Sequence, residues 1–146
     1  MWRNRVDGAR DMWSAATLGA GTWWLKACPM DGGQIVAEDG GFATIWRRSG
    51  EVFFDRPGQS EQKLAPGTQP VAGATAKGSI AVWQQGADRL SVSPGDSAPP
   101  RVLARNARFP ALATIPDTDR VVLAHERGAD AVVALLPDSP RRGHAT

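Results

Sequence analysis

Eight polar side chains, Arg3, Asn4, Asp31, Arg47, Gln69, Gln84, Arg108 and Glu126, stand at corresponding points of a pattern that recurs along the chain. Arginine offers a bidentate fork to a carboxylate, while Asn, Gln, Asp and Glu exchange hydrogen bonds with hydroxyl groups. Gathered in one funnel, such a set suits a ligand carrying both, as an acidic carbohydrate does. The ordinary alternative is a row of solvated turn residues, the default composition of loop ends in a β protein. The elements that carry these residues decide between the two.

Met30, Pro70 and Pro110 are spaced 40 residues apart, each at the start of a copy of the same pattern. An apolar segment, a tight turn and a second segment ending in Trp46, Trp83 or His125 follow. A polar turn, a third segment and a corner at Pro57-Gly58, Pro94-Gly95 or Pro137-Asp138 complete each copy. A period near 40 built from short strands is the signature of propeller blades, in which four-stranded sheets stack radially. The expectation is an all-β, incomplete β-propeller of about three to four four-stranded antiparallel blades.

In the second copy the strands are expected at 34–37, 42–46, 51–55 and 62–65, with Asp39-Gly40-Gly41 as the first turn because Asp-Gly supplies the positive φ a tight hairpin needs. The third copy gives strands at 71–75, 79–83, 89–93 and 101–104, and the fourth at 111–115, 120–125 and 131–136. Trp2-Arg3-Asn4 corresponds to Trp46-Arg47-Arg48, which makes the first copy partial, with a strand at 11–15 and an outer one within 17–25. The blades are thus 1–29, 30–69, 70–109 and 110–138, with 139–146 a disordered tail. Asp31, Gln69 and Arg108 fall at blade entries, and Arg3, Asn4, Arg47, Gln84 and Glu126 at second-strand exits. Both sets belong to one face around the propeller axis.

Other residues read as structural. Trp2, Trp46 and Trp83 recur at one repeat position, which favours packing between blades over sugar stacking. His125 takes that position in the last copy and has no partner at catalytic or metal-ligand spacing. Cys28 cannot form a disulfide within the chain and is expected to be a buried, inert thiol. Arg10-Asp11 reads as ion pairing between blades. No metal cluster, phosphate-binding loop or dinucleotide fingerprint occurs, and no cofactor is expected.

Hydrophobic residues make up 42% of 146 and charged ones 22%, enough for a packed core and too polar in pattern for a membrane span. A net charge of +2, with its arginines dispersed, does not form the basic stripe that nucleic acid requires. The opening MWRNRVDGARDMW lacks the apolar stretch of a secretory signal.

The text RNRVDGARDM, followed by GTWWLKACPMDGG, is similar to stretches of bacterial sialidase-like, six-bladed propeller proteins of the aspartate-box type. The resemblance runs at motif level from Trp2 to Gly33 and as repeat pattern to Asp138. It implies a periplasmic or secreted protein. It also implies, for exo-sialidases, an arginine triad for the substrate carboxylate, an Asp acid/base and a Tyr-Glu nucleophile pair. This chain contains no tyrosine, no full triad is assignable, and Leu18 holds the aspartate position of the box whose tail Gly21-Thr22-Trp23 retains. No catalytic residue is therefore expected here. The implied role is a non-catalytic segment that binds carbohydrate or protein through its axial face. The alternative is a fragment of a glycoside hydrolase whose catalytic Tyr and arginines lie outside the chain. An arc of blades leaves apolar faces open, so self-association or a partner covering those ends is also expected.

Overall fold

The computed structural model describes residues 2–6, 13–17, 20–21, 32–93, 99–116 and 118–136, the first two segments as backbone only. Among them are thirteen strands and no helix. Strands β1 (Trp2–Val6) and β2 (Trp13–Thr17) pair antiparallel as a first sheet. A second sheet has β3 (Gln34–Glu38), β4 (Gly41–Arg48), β5 (Glu51–Asp55) and β6 (Gln62–Pro66) in sequence order. The third has β7 (Thr68–Thr75), β8 (Gly78–Gln85), β9 (Arg89–Ser93) and β10 (Arg101–Arg105), again in order. The fourth has β11 (Arg108–Thr114), β12 (Val121–Arg127) and β13 (Asp130–Leu136). All neighbours are antiparallel, no sheet closes on itself, and the expected strands at 51–55 and 89–93 coincide with those observed. The third strand of the first copy, expected at 11–15, lies two residues further on at Trp13–Thr17. Residues 18–19 and 22–25 of the outer strand expected within 17–25, together with Met30, Cys28, Asp31, Arg10-Asp11 and the tail expected at 139–146, lie outside the described residues.

Local chemistry accounts for the meanders. Ser49 and Gly50, both at positive φ (52° and 84°), form the two-residue link between β4 and β5. A two-residue link with both φ positive matches the right-handed twist of the strands it joins. The strands are too apolar to alternate strictly, because the central sheets are covered on both faces. In β8, Ala81 and Trp83 point to one side and Val82 to the other, and all three are inaccessible to solvent.

Two cores result. Ala43, Ile45, Val52 and Phe54 of the second sheet meet Ala72, Ala81 and Trp83 of the third. Val82, Leu90 and Val92 of the third meet Ala107 and then Val121, Leu123 and Leu136 of the fourth. Full burial of a side chain such as Ile45 or Phe54 contributes about 2–3 kcal/mol, so each interface is a strong hydrophobic joint. Polar side chains finish it. The edge strand β7 points the N–H groups of Ala72 and Ala74 away from β8, and they donate to Gln34 Oε1 (2.9 Å) and Thr114 Oγ1 (3.0 Å) of the flanking sheets. An edge that would otherwise offer unpaired donors is closed from both sides.

The strand starts repeat an irregularity. Thr68 pairs with Gln84 and Val71 with Val82, three residues against two, and Arg108 and Ala111 stand in the same relation to Glu126 and Ala124. The extra residue makes a β-bulge in each. Gln69 and Phe109 lie within these bulges at φ 51° and 52°, each followed by a buried proline. Proline has no N–H to give the ladder, so a bulge accommodates it.

Candidate functional site

The bulged starts of β7 and β11, the ends of β4, β8 and β12, and the turns after those ends all lie at the same end of their sheets. Gln84, Arg108 and Glu126 come together there. Gln84 Oε1 accepts from the N–H of Phe109 (3.2 Å), and Arg108 is the cross-strand partner of Glu126. Gln69 follows Thr68, the partner of Gln84. Arg47 occupies the corresponding end of the second sheet, across from Val52. Arg3 and Asn4 lie in β1 opposite Ala16 and Ala15, and Asp31 is outside the described residues.

Their chemical roles differ. The Gln84 carboxamide is committed to the fold, since its Nε2 also donates to the carbonyls of Gly86 (3.1 Å) and Ala87 (3.3 Å). It fixes the turn after β8 and the bulge of β11 to each other. Arg108 and Glu126 are exposed, with complementary charges on one surface. Between them and Gln84 stands a residue that the polar pattern does not reveal. Phe109 is 50% exposed, its backbone is held at positive φ, and Arg108 Cζ lies 5.9 Å from its ring centroid. A guanidinium at that distance is at the outer limit of attraction to a ring face. The sequence signal for it is the dipeptide Phe109-Pro110, 40 residues after Gln69-Pro70.

His125, the residue in the tryptophan position, is buried, and its Nδ1 lies 3.1 Å from the Glu126 carbonyl. A carbonyl only accepts, so Nδ1 carries the proton and donates. The imidazole serves the fold and does not open onto the exposed residues.

A cleft of about 550 Å³ lies at the opposite end of the strands, between the β3–β4 and β7–β8 turns, lined by residues 37–39 and 75–78. Successive turns of a meander alternate ends, so this is the face away from Arg108 and Glu126. Two of its charged side chains are engaged. Glu38 accepts from the backbone N–H (3.2 Å) and the hydroxyl (3.0 Å) of the fully buried Ser79, and Lys77 is ion-paired with Asp119. Hydrogen bonds at Glu38 thus tie the second sheet to the third, and the Lys77 ion pair ties the third to the β11–β12 link of the fourth.

One carboxyl is held below its ordinary range. Glu61 receives a bidentate pair from Arg48, Nη2 to Oε1 at 2.5 Å and Nη1 to Oε2 at 3.0 Å, and a third bond from the Ala20 N–H at 2.8 Å. The Arg48 hydrogen bonds are the largest cause of its lowered pKa, opposed by burial. Arg48 also lies 3.8 Å over the Phe53 ring, which stacks on Trp46 with centroids 6.1 Å apart. This constellation ties residue 20 to the second sheet, and an acid kept ionised by a fork of this kind is poorly placed to donate a proton. Among the described residues no group of three or more His, Cys, Asp or Glu could hold a metal ion. No helix there is long and apolar enough to cross a membrane. Compared with protein-family models, curated proteins and solved structures, the chain matches none of them.

Proposed function

We propose that this chain is a non-catalytic segment of a sialidase-like β-propeller that binds an acidic carbohydrate at the end of its third and fourth sheets. The observation that carries the reading is Phe109, an exposed ring held out at positive φ by the Gln84 carboxamide, beside Arg108 and next to the strand partner Glu126. A ring face packs against the C–H face of a sugar, the guanidinium pairs with its carboxylate, and the Glu126 carboxylate accepts from hydroxyls. The propeller part is supported by three consecutive meander sheets with the same bulged strand start in two of them. Packing of β7 against both β3 and β11, first strand beside first strand, is what radial stacking requires. The non-catalytic part is supported by the absence of tyrosine and by the structural engagement of Glu38, Glu61 and Gln84.

Titration with N-acetylneuraminic acid, followed by ligand-observed NMR, tests it. An open, shallow site predicts a dissociation constant of about 1 mM, weakened by salt and at least tenfold weaker for Phe109→Ala and Arg108→Ala. Neutral galactose should bind less well. No detectable saturation transfer, or binding that neither substitution changes, would sink the carbohydrate reading. Release of product from a fluorogenic sialoside, lost on replacing Glu126 or Asp31, would overturn the non-catalytic one.

A further inference from the structure

One end of the third sheet carries a row of donors with no acid to receive them. Register places Gln85 of β8 opposite Arg89 of β9, and Arg89 opposite Arg105 of β10. Residues directly opposite on neighbouring strands share a face, with Cβ atoms about 5 Å apart. That face is turned toward the second sheet, because Ala81 and Trp83, which alternate with Gln85 along β8, pack there, while Leu90 turns the other way. The Ser91 hydroxyl, two residues along β9 from Arg89, donates to Gln85 Oε1 at 2.9 Å. The carboxamide oxygen is thus engaged, which leaves its NH2 as the end that can serve a ligand. Two guanidinium groups directly opposite on one row repel each other. Among the described residues neither Arg89 nor Arg105 is in an ion pair, and Asp88, the acid beside Arg89 in the turn, is in none either. Arg89 Nε is buried and has no hydrogen-bond partner. Arg48, by contrast, spends its fork on Glu61.

The Arg89 guanidinium is therefore short of an acceptor, on a side chain long enough to turn toward one. We propose that the row of Gln85, Arg89 and Arg105 binds a tetrahedral oxyanion, sulfate or phosphate, as the free ion or as an exposed ester group. Such an anion offers oxygens to two guanidinium forks at once, and its charge cancels the repulsion between them. A carboxylate, with two oxygens and one charge, satisfies one fork and leaves the second guanidinium and the amide wanting. Access is from the side of β10, the outermost strand of the sheet, where Arg105 is exposed and Arg89 and Gln85 are half-buried. The row faces the second sheet, whereas Arg108 and Phe109 belong to the fourth, on the other side of the third. The oxyanion site thus stands apart from the carbohydrate reading and does not rest on it.

Titration of the full chain with sodium phosphate and sodium sulfate at constant ionic strength, followed through the arginine Nε–H resonances by NMR, reads the site. The Arg89 and Arg105 signals should shift and saturate with a dissociation constant of about 1 mM, and sodium chloride alone should not move them. Arg89→Gln and Arg105→Gln should each weaken binding at least tenfold. Arg101→Gln, exposed and on the other face opposite Val92, should leave it unchanged. Because Arg105 is exposed and faces a like charge, Arg105→Gln should leave the anion-free melting temperature unchanged or raised, which separates loss of the ligand from loss of the fold. Glucose 6-sulfate and glucose 6-phosphate, titrated beside the free ions, tell whether ester or ion is the tighter ligand, and either order upholds the site. Shifts that fail to saturate below about 50 mM would overturn the inference. So would binding that survives both Arg89→Gln and Arg105→Gln, or that falls equally with Arg101→Gln.

Discussion

A Cβ added to Gly67 would stand 2.5 Å from Cδ1 of Trp83 and 2.8 Å from the Gln84 carbonyl oxygen. The indole therefore occupies the space that any other residue at 67 would need. Gly67→Ala should destabilise by about 2 kcal/mol through overpacking, read as a lowered midpoint in urea with an unchanged slope. Shrinking the ring should relieve it. In a double-mutant cycle, Gly67→Ala with Trp83→His should be more stable than the sum of the single effects by about 1 kcal/mol. Strict additivity would mean that the glycine answers to backbone geometry alone.

Protonation of Glu61 should set part of the acid stability. Its folded-state pKa lies below the ordinary 4.5, so the stabilisation is fully present above about that pH and fades as the pH falls through the lowered value. Thermal melts below about pH 4.5 should therefore drop for the natural chain. Glu61→Gln should melt lower at neutral pH but with a shallower acid slope. Arg48→Ala, which strands a half-buried carboxylate and removes the cation from the Phe53 face, should cost about 3 kcal/mol. An acid profile identical in Glu61→Gln and the natural chain would show that other carboxylates govern it.

Glu38 and Ser79 join the second sheet to the third by two hydrogen bonds at a fully buried serine. Glu38→Ala leaves a buried N–H and hydroxyl without an acceptor, at a cost of about 2–3 kcal/mol. Ser79→Ala, which removes the hydroxyl but leaves the backbone N–H to bind Glu38, should cost about 1 kcal/mol. Equal effects from the two would place the whole contribution in the Ser79 hydroxyl.

How much of this is legible in the sequence varies with the kind of interaction. The first hairpin turn is: Gly40 and Gly41 of the expected Asp39-Gly40-Gly41 turn take the positive φ it needs, and the strands Glu51–Asp55 and Arg89–Ser93 fall on the residues expected. Strand starts are not. β7 begins at Thr68 and β11 at Arg108, ahead of the expected 71 and 111, because proline hides the bulge that extends each ladder. The repeat places Gln84, Arg108 and Glu126 at corresponding strand ends, but it cannot say that Gln84 is occupied by two carbonyls and the Phe109 N–H. Nor does polar pattern point to Phe109, whose exposure follows from a positive φ rather than from its neighbours in the chain. Trp83 reads correctly as packing between sheets, yet the demand it makes on Gly67 is a matter of ångströms.

Strain at the two bulges should be measurable. Gln69 and Phe109 adopt positive φ just before proline, an arrangement that costs a residue with a Cβ about 1–3 kcal/mol. Gly adopts it freely but loses more entropy on folding, so Phe109→Gly should be neutral or stabilising by up to about 1 kcal/mol in denaturant unfolding while losing the exposed ring. Phe109→Val, β-branched, should destabilise by at least about 1 kcal/mol. A glycine variant less stable than the valine variant would mean that the ring packs more than its 50% exposure suggests.

By repeat position, Ala107 corresponds to Gly67 and His125 to Trp83. Ala107 and Gly67 each precede the strand whose second residue enters the bulge, and each donates its N–H to a turn carbonyl, Ala107 to Asp88 (2.9 Å) and Gly67 to Gly50 (3.0 Å). Ala107 is fully buried with its methyl in place, and the ring in the fourth sheet is the smaller imidazole. Bulk has moved from the ring to the small residue. His125→Trp alone should therefore cost about 2–3 kcal/mol, by overpacking and by loss of the Nδ1 donation to the Glu126 carbonyl. Combined with Ala107→Gly, which opens the space that Gly67 provides in the third sheet, it should recover about 1 kcal/mol of that loss. Ala107→Gly by itself should cost about 1 kcal/mol through the missing methyl and the added chain entropy. If the double substitution is no better than the sum of its parts, the fourth sheet packs its ring position by a different geometry from the third.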